Sequence, residues 1–349
     1  MTKKHYLTWD LGGTKCVAGL IEFQSEKSTY VCLKKASVLL HDTTSLYDLI
    51  EQLESQLQLS MREVDAICIG AAGQYNGHSL ILENGYPYDM AFAEVASKLH
   101  WPHYAIIHDY ATVLCATFTQ YLYSKEFVQR LNAAEIPIFE RRVVFGVGTG
   151  LGGKDGLLLD NGNFWFGTNE IGFLGVPALL HDAHPAHASF LTYLQSEKIH
   201  QSVVFETILS GGGLQLMHQF LYPTQMTMSP AEIGDLMQQD KHDELTDLFA
   251  WYLGLFVGTL QLAFMPAGGI WMTGGVLLKH LGLIKRKSFQ LGIHALPAYM
   301  TQRSVYPLGV LHHPDWALIG AAFYAHKRLQ SQFHEPRLYS VDAQEMTRV

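Results

Sequence analysis

Three glycine-rich turns in the sequence combine backbone N–H groups, threonine hydroxyls and a carboxylate at the ends of strand-like segments. The first is Asp10–Thr14 in LTWDLGGTK, the second Gly148–Gly152 in VVFGVGTGLGGKDG, and the third Gly274–Gly275 in GGIWMTGG. Two strand–turn–strand loops that face each other could bind a polyphosphate, with Asp10 holding magnesium through water. The plainer alternative for the first turn is a hairpin, because paired glycines supply positive φ angles.

The second turn also matches two other nucleotide motifs. Gly148, Gly150 and Gly153 fit GxGxxG, and the stretch from Gly148 to Lys154 fits GxxxxGK. Both motifs must open a helix, but the continuation GLLLDNGNFWFG is strand-like, and Asp155 stands where a P-loop has Ser or Thr. The context therefore speaks against an NAD-dependent oxidoreductase and against a P-loop enzyme.

Asp109 is placed where a carboxylate could act as a general base. It follows the apolar strand HYAIIHDY at 103–110, where the chain changes direction. A base must lie within hydrogen-bond reach of the proton that it removes. From the residues alone, an N-cap for a helix beginning at Ala111 explains Asp109 equally well.

The order of the elements indicates two α/β halves. Each half opens with a strand, a Gly/Thr turn and a second strand, at residues 5–35 and again at 141–167. The periodicity predicts helices at 45–60, 91–100, 188–197, 213–221, 229–238, 243–265 and 276–292, and over DWALIGAAFYAHKRL. The polar stretch 124–142 is the predicted boundary.

The amino-acid composition excludes some classes of protein and favours others. The chain has 349 residues, of which 48% are hydrophobic and 16% charged, so we expect a large buried core. A net charge of −8 argues against nucleic-acid binding. The four cysteines show no CxxC spacing, and the start shows no signal peptide, so we expect a cytoplasmic protein.

One apolar segment requires a membrane test. No charged residue occurs from Leu248 to Leu278, but Pro266, Gly268 and Gly269 interrupt the run. We interpret it as a buried core helix that leads into a central strand, and we expect no membrane partner.

Several motifs together resemble a known family. DLGGTK, GTGLGG and GGIWMTGG resemble the two phosphate motifs and the adenosine motif of the sugar kinase/actin/Hsp70 superfamily. Within it, the chain resembles the bacterial glucokinase family from about residue 5 to 332. AIIHDYATV resembles the strand that ends in the catalytic aspartate, GTNEIGF the sugar-binding GExGH segment, and FETILSGGGL the lead-in to a helix.

The resemblance implies roles for individual residues. It makes Asp109 the general base and Asp10 the magnesium residue. The implied sugar contacts are Asn84, His108, Asp109, Glu170 and Glu206. The implied ATP and phosphate contacts are Asp10, Gly12, Gly13, Thr14, Lys15, Gly148, Thr149, Gly150, Gly152, Gly274 and Gly275.

The same resemblance implies a two-lobed, actin-like ATPase (ribonuclease H-like) α/β fold, with a mixed sheet flanked by helices in each lobe and a cleft between the lobes. We expect a small lobe at 1–120 plus 316–335, a large lobe at 121–315, and a polar tail at 336–349. The implied activity is that of a hexokinase of the glucokinase type, with ATP and Mg²⁺ as cofactors, D-glucose as the default substrate and a homodimer as the assembly.

Departures from the family pattern leave alternatives open. The family's Asn before the catalytic Asp is His108 here, the first Gly of GExGH is Asn169, and its His is Phe173. Because polar contacts discriminate between hydroxyl patterns, another hexose or an N-acetylhexosamine is an alternative substrate. A non-catalytic sugar or nucleotide sensor on the same fold is a second alternative. Glu206 could also be a capping or exposed helix residue.

A run of histidines, at positions 181, 184 and 187, is spaced by three residues. This spacing could suggest a metal site, but Pro185 and the missing fourth ligand favour a solvent loop.

Overall fold

The structure is a computed structural model that describes residues 3–82, 89–179, 184–196, 202–239 and 241–330. Its chain divides into two compact units. Unit 1 comprises Met1–Leu122, Asp160–Asn163 and Pro314–Val349, and unit 2 comprises Tyr123–Leu159 and Phe164–His313. The predicted tail at 336–349 lies outside the described residues.

Strands and helices alternate along both units. The strands are β1 (Lys4–Leu11), β2 (Lys15–Gln24), β3 (Thr29–Leu39), β4 (Ala66–Ala71), β5 (Gly73–Tyr75), β6 (Leu80–Leu82), β7 (His103–His108), β8 (Val128–Arg130), β9 (Arg142–Val147), β10 (Leu151–Leu158), β11 (Phe164–Phe166), β12 (Ile270–Thr273) and β13 (Leu308–Leu311). The helices are α1 (Leu46–Leu57), α2 (Phe92–Lys98), α3 (Asp109–Ala116), α4 (His187–Ser196), α5 (Phe205–Ile208), α6 (Gly211–Leu221), α7 (Pro230–Gln238), α8 (Asp243–Phe264), α9 (Gly275–Lys279), α10 (Lys287–His294), α11 (Met300–Arg303) and α12 (Trp316–Gln330).

The two main sheets are built in the same way. In unit 1 the strand order is β3-β2-β1-β4-β7, and in unit 2 it is β11-β10-β9-β12-β13-β8. In each unit three antiparallel strands joined in sequence are followed by parallel strands, β4 and β7 in one and β12 and β13 in the other. The repeated strand–turn–strand layout is therefore confirmed as β1–β3 in one sheet and β9–β11 in the other, where β8 is an additional antiparallel strand at the edge.

The apolar helix α8 forms the core of unit 2. By length and composition it could cross a membrane, but 72% of its most apolar window is buried inside the protein. A Cβ at Gly254 would collide with Phe289 O of α10, and one at Gly292 would collide with Trp251 O. The two helices therefore pack backbone to backbone, and the interpretation as a core helix is confirmed.

One predicted helix is broken in the structure. The expected helix at 276–292 consists of α9 and α10, separated by a 3-10 turn at Leu283–Lys285. Leu283 and Ile284 are buried in this turn and pack into the core of unit 2. A continuous helix was wrong here because Gly282 weakens it and the turn buries two additional apolar side chains.

The histidine run is also different from the expectation. His187 is buried in α4, with Nδ1 at 3.0 Å from Tyr252 Oη, and the ring of His184 lies 5.2 Å from that of Trp251. The solvent loop was wrong for His187, which is buried in α4, whereas His184 lies in the non-helical segment before α4 and is partly exposed. His181 lies outside the described residues.

A buried tyrosine–histidine pair attaches α12 to the sheet of unit 1. Tyr6 Oη lies 2.6 Å from His326 Nδ1, and both side chains are buried. Burial, with Lys4 and Lys327 nearby, lowers the pKa of His326 to about 4 from its ordinary value of 6.5. The unfolded chain therefore takes up a proton more readily than the folded chain between these two values.

We expect the free energy of unfolding to fall by about 3 kcal/mol as the pH drops from 7 to 4, through this histidine alone. The contribution is complete above pH 6.5 and is lost as the pH falls towards 4. His326→Asn keeps a polar group beside Tyr6 but does not titrate, so its unfolding free energy should depend less on pH in urea titrations. His78→Asn, at an exposed histidine, is the matched control. Equal pH slopes for the protein and His326→Asn would contradict the assignment.

Candidate active site

The first glycine turn joins β1 to β2 and is held by two backbone hydrogen bonds. Gly12 N donates to Lys15 O at 3.0 Å, and Leu40 N donates to Thr14 O at 2.9 Å. The strands β1 and β2 form an antiparallel hairpin, as the plainer alternative predicts. Neither Gly12 nor Gly13 has a positive φ, so the predicted reason for the two glycines is wrong. A Cβ at Gly12 would meet only Lys15 O, at 3.7 Å. The described structure itself does not require glycine at position 12, whereas a ligand that approaches the backbone would.

The sheet of unit 1 brings two predicted carboxylates to the carboxyl end of its parallel strands. Asp10 lies opposite Gly70 of the neighbouring strand β4, and Gly70 lies opposite Ile107 of β7. Asp109 follows directly after β7, and a Cβ at Gly70 would lie 3.4 Å from Asp109 Cα. Paired residues point to the same face of a sheet, so Asp10 lies on the face where Gly70 has no side chain, and Asp109 Cα lies beside Gly70 on that face.

The ionisation of Asp10 depends on its surroundings. Burial, and then the neighbouring Asp109, raise the pKa of Asp10 to about 6 from 3.8, while Lys15 opposes the shift. A bound cation would restore the charged form of Asp10, because positive charge near a carboxylate favours ionisation. Among the described residues no group of three His, Cys, Asp or Glu side chains could hold a metal by itself. This donor set fits Mg²⁺, which uses one or two carboxylates together with phosphate and water oxygens.

Asp109 is the first residue of α3, and its carboxylate is about one quarter exposed, at 24%. Tyr110 N donates to Asp109 Oδ1 at 2.7 Å, and His108 Nδ1 lies 2.8 Å from the same oxygen. The helix begins at Asp109 with His108 as its N-cap residue, so the predicted N-cap at Asp109 before Ala111 was wrong by one position. The carboxylate nevertheless reaches solvent, as a base requires.

The second glycine turn joins β9 to β10 in unit 2. Gly148 N donates to Gly150 O at 2.9 Å, and Gly211 N, at the start of α6, donates to Gly148 O at 3.0 Å. Thr149 is exposed, while Gly148 and Gly150 are partly exposed. The turn is followed by strand β10 and not by a helix. The structural context that a dinucleotide fingerprint or a P-loop needs is therefore missing.

The third turn adjoins the second within unit 2. Gly274 has φ +100°, and a Cβ there would collide with the backbone of Val147 at the end of β9. The fold itself therefore requires Gly274. A Cβ at Gly148 or at Gly275 would meet nothing within 4 Å. These two positions resemble Gly12, since close approach of a ligand explains them better than packing does.

The predicted sugar segment packs along strand β10. Gly167 N donates to Asp155 O at 3.0 Å, and Lys154 Nζ donates to Asn169 O at 3.0 Å. A Cβ at Gly172 would collide with Leu151 O. Residues 167–172 therefore lie along β10, directly beyond the second glycine turn, and Glu170 is exposed within them.

A buried carboxylate anchors this segment. Asp155 is fully buried, and its Oδ1 accepts from Asn169 Nδ2 at 2.5 Å. Its Oδ2 accepts from Arg141 Nε at 2.6 Å and also contacts Arg141 Nη2. Arg141 in turn packs over the rings of Trp165 and Phe264, at 5.5 and 4.8 Å. Asp155 therefore attaches the segment before Glu170 to the core of unit 2.

Glu206 contacts the second glycine turn. Its Oε2 accepts from Leu151 N at 3.0 Å, and a Cβ at Gly150 would lie 2.9 Å from the same oxygen. The carboxylate therefore points away from its own helix α5, which does not support the capping alternative. Glu206 is partly buried and borders both the loop at 148–152 and the start of β10.

The remaining residues of the predicted motifs are exposed or lie outside the described residues. Thr14 and Lys15 are exposed, and so is Phe173, at 61%. Asn84 lies outside the described residues. Sequence reasoning missed Gly70, Asp155 and the glycines that begin α6. The small residues that end DAICIGAAG and the glycine run in SGGG were the available signals, whereas nothing in the local sequence indicates Asp155.

Known proteins resemble this chain over most of its length. A sequence model of the family described as Glucokinase matches residues 7–328. A glucokinase of Trichormus variabilis is 25% identical over 346 residues, covering 91% of this chain and 98% of its own. A glucokinase of Agrobacterium fabrum is 27% identical over 333 residues, covering 91% of each chain.

Solved structures show the same fold. A glucokinase from an Antarctic psychrotroph superposes with a TM-score of 0.80 at 21% identity, covering 93% of this chain and 99% of its own. A ROK family glucokinase from Streptomyces griseus, solved with glucose and AMPPNP, gives a TM-score of 0.58 at 16% identity, covering 93% and 100%. The predicted actin-like ATPase fold is confirmed. Given the family match over most of its length, the chain belongs to the glucokinase family and is a hexose kinase of the glucokinase type.

Proposed function

We propose that this hexose kinase transfers the γ-phosphoryl group of ATP to the 6-hydroxyl of D-glucose, with Asp109 as the general base. The arrangement of Asp109 carries the proposal. Its carboxylate is accessible at the end of β7, beside Asp10 and the first glycine turn. Phosphoryl transfer to an alcohol needs a base beside the alcohol and a site that stabilises the negative charge of the phosphates.

In this proposal the carboxylate of Asp109 takes the proton of the sugar hydroxyl as the oxygen attacks the γ-phosphorus. The new O–P bond forms while the bond from the γ-phosphorus to the β–γ bridging oxygen breaks, and ADP leaves with that oxygen. The side chain makes no covalent bond. Its contribution is proton removal and orientation of the alcohol, since phosphoryl transfer depends mainly on positioning and electrostatics.

The phosphates of ATP would be bound by backbone N–H groups of the loops at 10–14 and 148–152, aided by the hydroxyls of Thr14 and Thr149. The adenosine would lie against Gly274–Gly275. Gly12, Gly148 and Gly275 have room for a Cβ, so their lack of one is best explained by contact with the nucleotide. Magnesium at Asp10 would neutralise charge on the phosphates.

The sugar would be held by Asn84, His108, Glu170 and Glu206 together with Asp109. Carboxylates suit this task, because an ionised oxygen accepts hydrogen bonds from neighbouring hydroxyls. Phe173 is exposed and directly follows residues 167–172. Its apolar ring stands where the family pattern has a histidine, so one polar contact to the sugar would be lost. This observation favours, as the second candidate, a hexose or N-acetylhexosamine that presents an apolar face or group there.

A panel of sugars tests the substrate. ADP release with Mg-ATP should be measured for glucose, mannose, fructose, galactose, N-acetylglucosamine and N-acetylmannosamine, with no-sugar and EDTA controls. We expect glucose to give the largest kcat/KM and EDTA to abolish turnover. A larger kcat/KM with another sugar would replace glucose as the substrate. The absence of sugar-dependent turnover, with sugar binding retained in calorimetry, would favour the sensor.

Location and assembly are parts of the same proposal. Four free cysteines, three of them buried, fit a reducing cytoplasm. We propose a cytoplasmic homodimer. Light scattering of the purified protein should give twice the chain mass of 39.1 kDa. A mass equal to one chain at micromolar concentration would contradict the dimer.

A further inference from the structure

The ring of His108 makes a close contact with the proposed base. His108 Nδ1 lies 2.8 Å from Asp109 Oδ1, and both side chains are about one quarter exposed, at 25% and 24%. Tyr110 N lies 2.7 Å from Asp109 Oδ1 and 3.2 Å from His108 Nδ1. These three polar atoms, Tyr110 N, His108 Nδ1 and Asp109 Oδ1, therefore contact one another at the N-terminus of α3. The position of the imidazole proton decides which of them donate and which accept.

Only some proton positions are compatible with these distances. A neutral imidazole carries one proton, and the bare nitrogen is an acceptor. If the proton were on Nε2, the lone pair of His108 Nδ1 would face a carboxylate oxygen at 2.8 Å, and the two acceptors would compete for one backbone N–H. With the proton on Nδ1, the ring donates to Asp109 Oδ1 and Tyr110 N donates to the same oxygen.

We propose that His108 is a positioning residue whose Nδ1–H donates to Asp109 Oδ1, so that Oδ2 is the oxygen that removes the proton from the sugar alcohol. The role in proton removal rests on the proposed function, whereas the hydrogen bond does not. In the described part of unit 1, Asp109 Oδ2 has no hydrogen-bond partner. Two donors on Oδ1 fix the rotation of the carboxylate and leave one oxygen to face the substrate.

The same proton position assigns the other nitrogen of the ring. His108 Nε2 is then a bare acceptor, and it too has no hydrogen-bond partner in the described part of unit 1. A sugar hydroxyl that reaches this nitrogen must therefore donate its proton. An asparagine at this position could place its amide nitrogen near the position of Nδ1, but it has no acceptor at the position of Nε2. His108 thereby separates the two tasks, orientation of the base by Nδ1 and acceptance from the sugar by Nε2.

Nitrogen NMR tests the hydrogen bond without any substrate. In ¹⁵N-histidine-labelled full-length protein near pH 8, the signals missing from His108→Asn identify the ring. We expect a protonated Nδ1 and a bare Nε2 for His108. In Asp109→Asn, this preference should weaken or reverse. A protonated Nε2 in the unsubstituted protein would overturn the proposal, even if the protein proves to be an active glucose kinase.

Kinetics test the positioning role. Asparagine places its amide nitrogen near the position of Nδ1, whereas glutamine places it near that of Nε2 and lacks the donor at Nδ1. We expect His108→Gln to lower kcat about 10- to 100-fold, since a hydrogen bond to a charged group is lost. His108→Asn should keep kcat within about threefold and raise KM for the sugar, because the acceptor Nε2 is lost.

His103→Gln is the matched control, because His103 is exposed at the start of the same strand. We expect its kcat and KM to match those of the unsubstituted protein. Equal losses of kcat in His108→Asn and His108→Gln, or an unchanged kcat in His108→Gln, would overturn the positioning role. If no sugar is turned over by any variant, the proposed function fails, and the NMR result alone decides the hydrogen bond.

Discussion

Replacing Asp109 with asparagine or alanine should lower kcat by about 10²- to 10⁴-fold, the range attributed to a general base. The reason is that neither side chain can take the proton of the alcohol as the phosphoryl group is transferred. Sugar binding should largely persist, because the other proposed sugar contacts remain in place. Coupled ADP release gives kcat, and calorimetry gives the dissociation constant of the sugar.

Glu51→Gln removes one negative charge from an exposed position of α1 in the same unit and serves as the control. Its kcat should equal that of the unsubstituted protein. Near-normal kcat in either Asp109 variant would show that another group takes the proton. A parallel loss of sugar affinity and kcat would instead indicate that Asp109 mainly binds the sugar.

Replacing Asp155 with alanine should lower the free energy of unfolding by about 3 kcal/mol, because it leaves Arg141 without its carboxylate partner. The expected loss of unfolding free energy is at the lower end of the range for a broken buried ion pair. The reason is that the side chain of Arg141 is partly exposed, at 32%, and keeps its ring contacts. Asn169 also loses its acceptor. The segment that carries Glu170 should become less ordered, so KM for the sugar should rise more than kcat falls.

Urea unfolding and sugar kinetics measure the two effects together. Asp155→Asn preserves the shape and part of the hydrogen bonding, so it should be intermediate in both. Glu135→Ala, at an exposed carboxylate of unit 2, controls for loss of charge alone. If Asp155→Ala is as stable as Glu135→Ala, the buried network does not support the sugar segment.

Local patterns were sufficient to predict the elements that carry the site. The strand-like segments in LTWDLGGTK and in VVFGVGTGLGG predicted strands on both sides of each turn, and the sheets confirm them. The apolar face of α1 is buried as its spacing predicted. The short strands β5, β6 and β8 were missed, because three residues are too few for a periodic pattern.

The sequence predicted which residues could do chemistry, but not what they contact. Asp109 was identified from its place after a strand, but its contact with His108 Nδ1 depends on how α3 begins. Asp155 gave no signal, since its partner Asn169 is brought to it by the path of the chain around β11. Such contacts depend on tertiary structure, which period and propensity do not encode.

The discontinuity of unit 1 has a consequence for synthesis on the ribosome. Helix α12 packs on the same sheet that residues before Leu122 build, and a Cβ at Gly320 would collide with Thr112 O of α3. The nascent chain must therefore expose the apolar face beneath α12 until the stretch after Pro314 has emerged. We infer that unit 2 can complete its core first, and that ribosome-bound intermediates ending before Trp316 are the stage at which a chaperone would be needed.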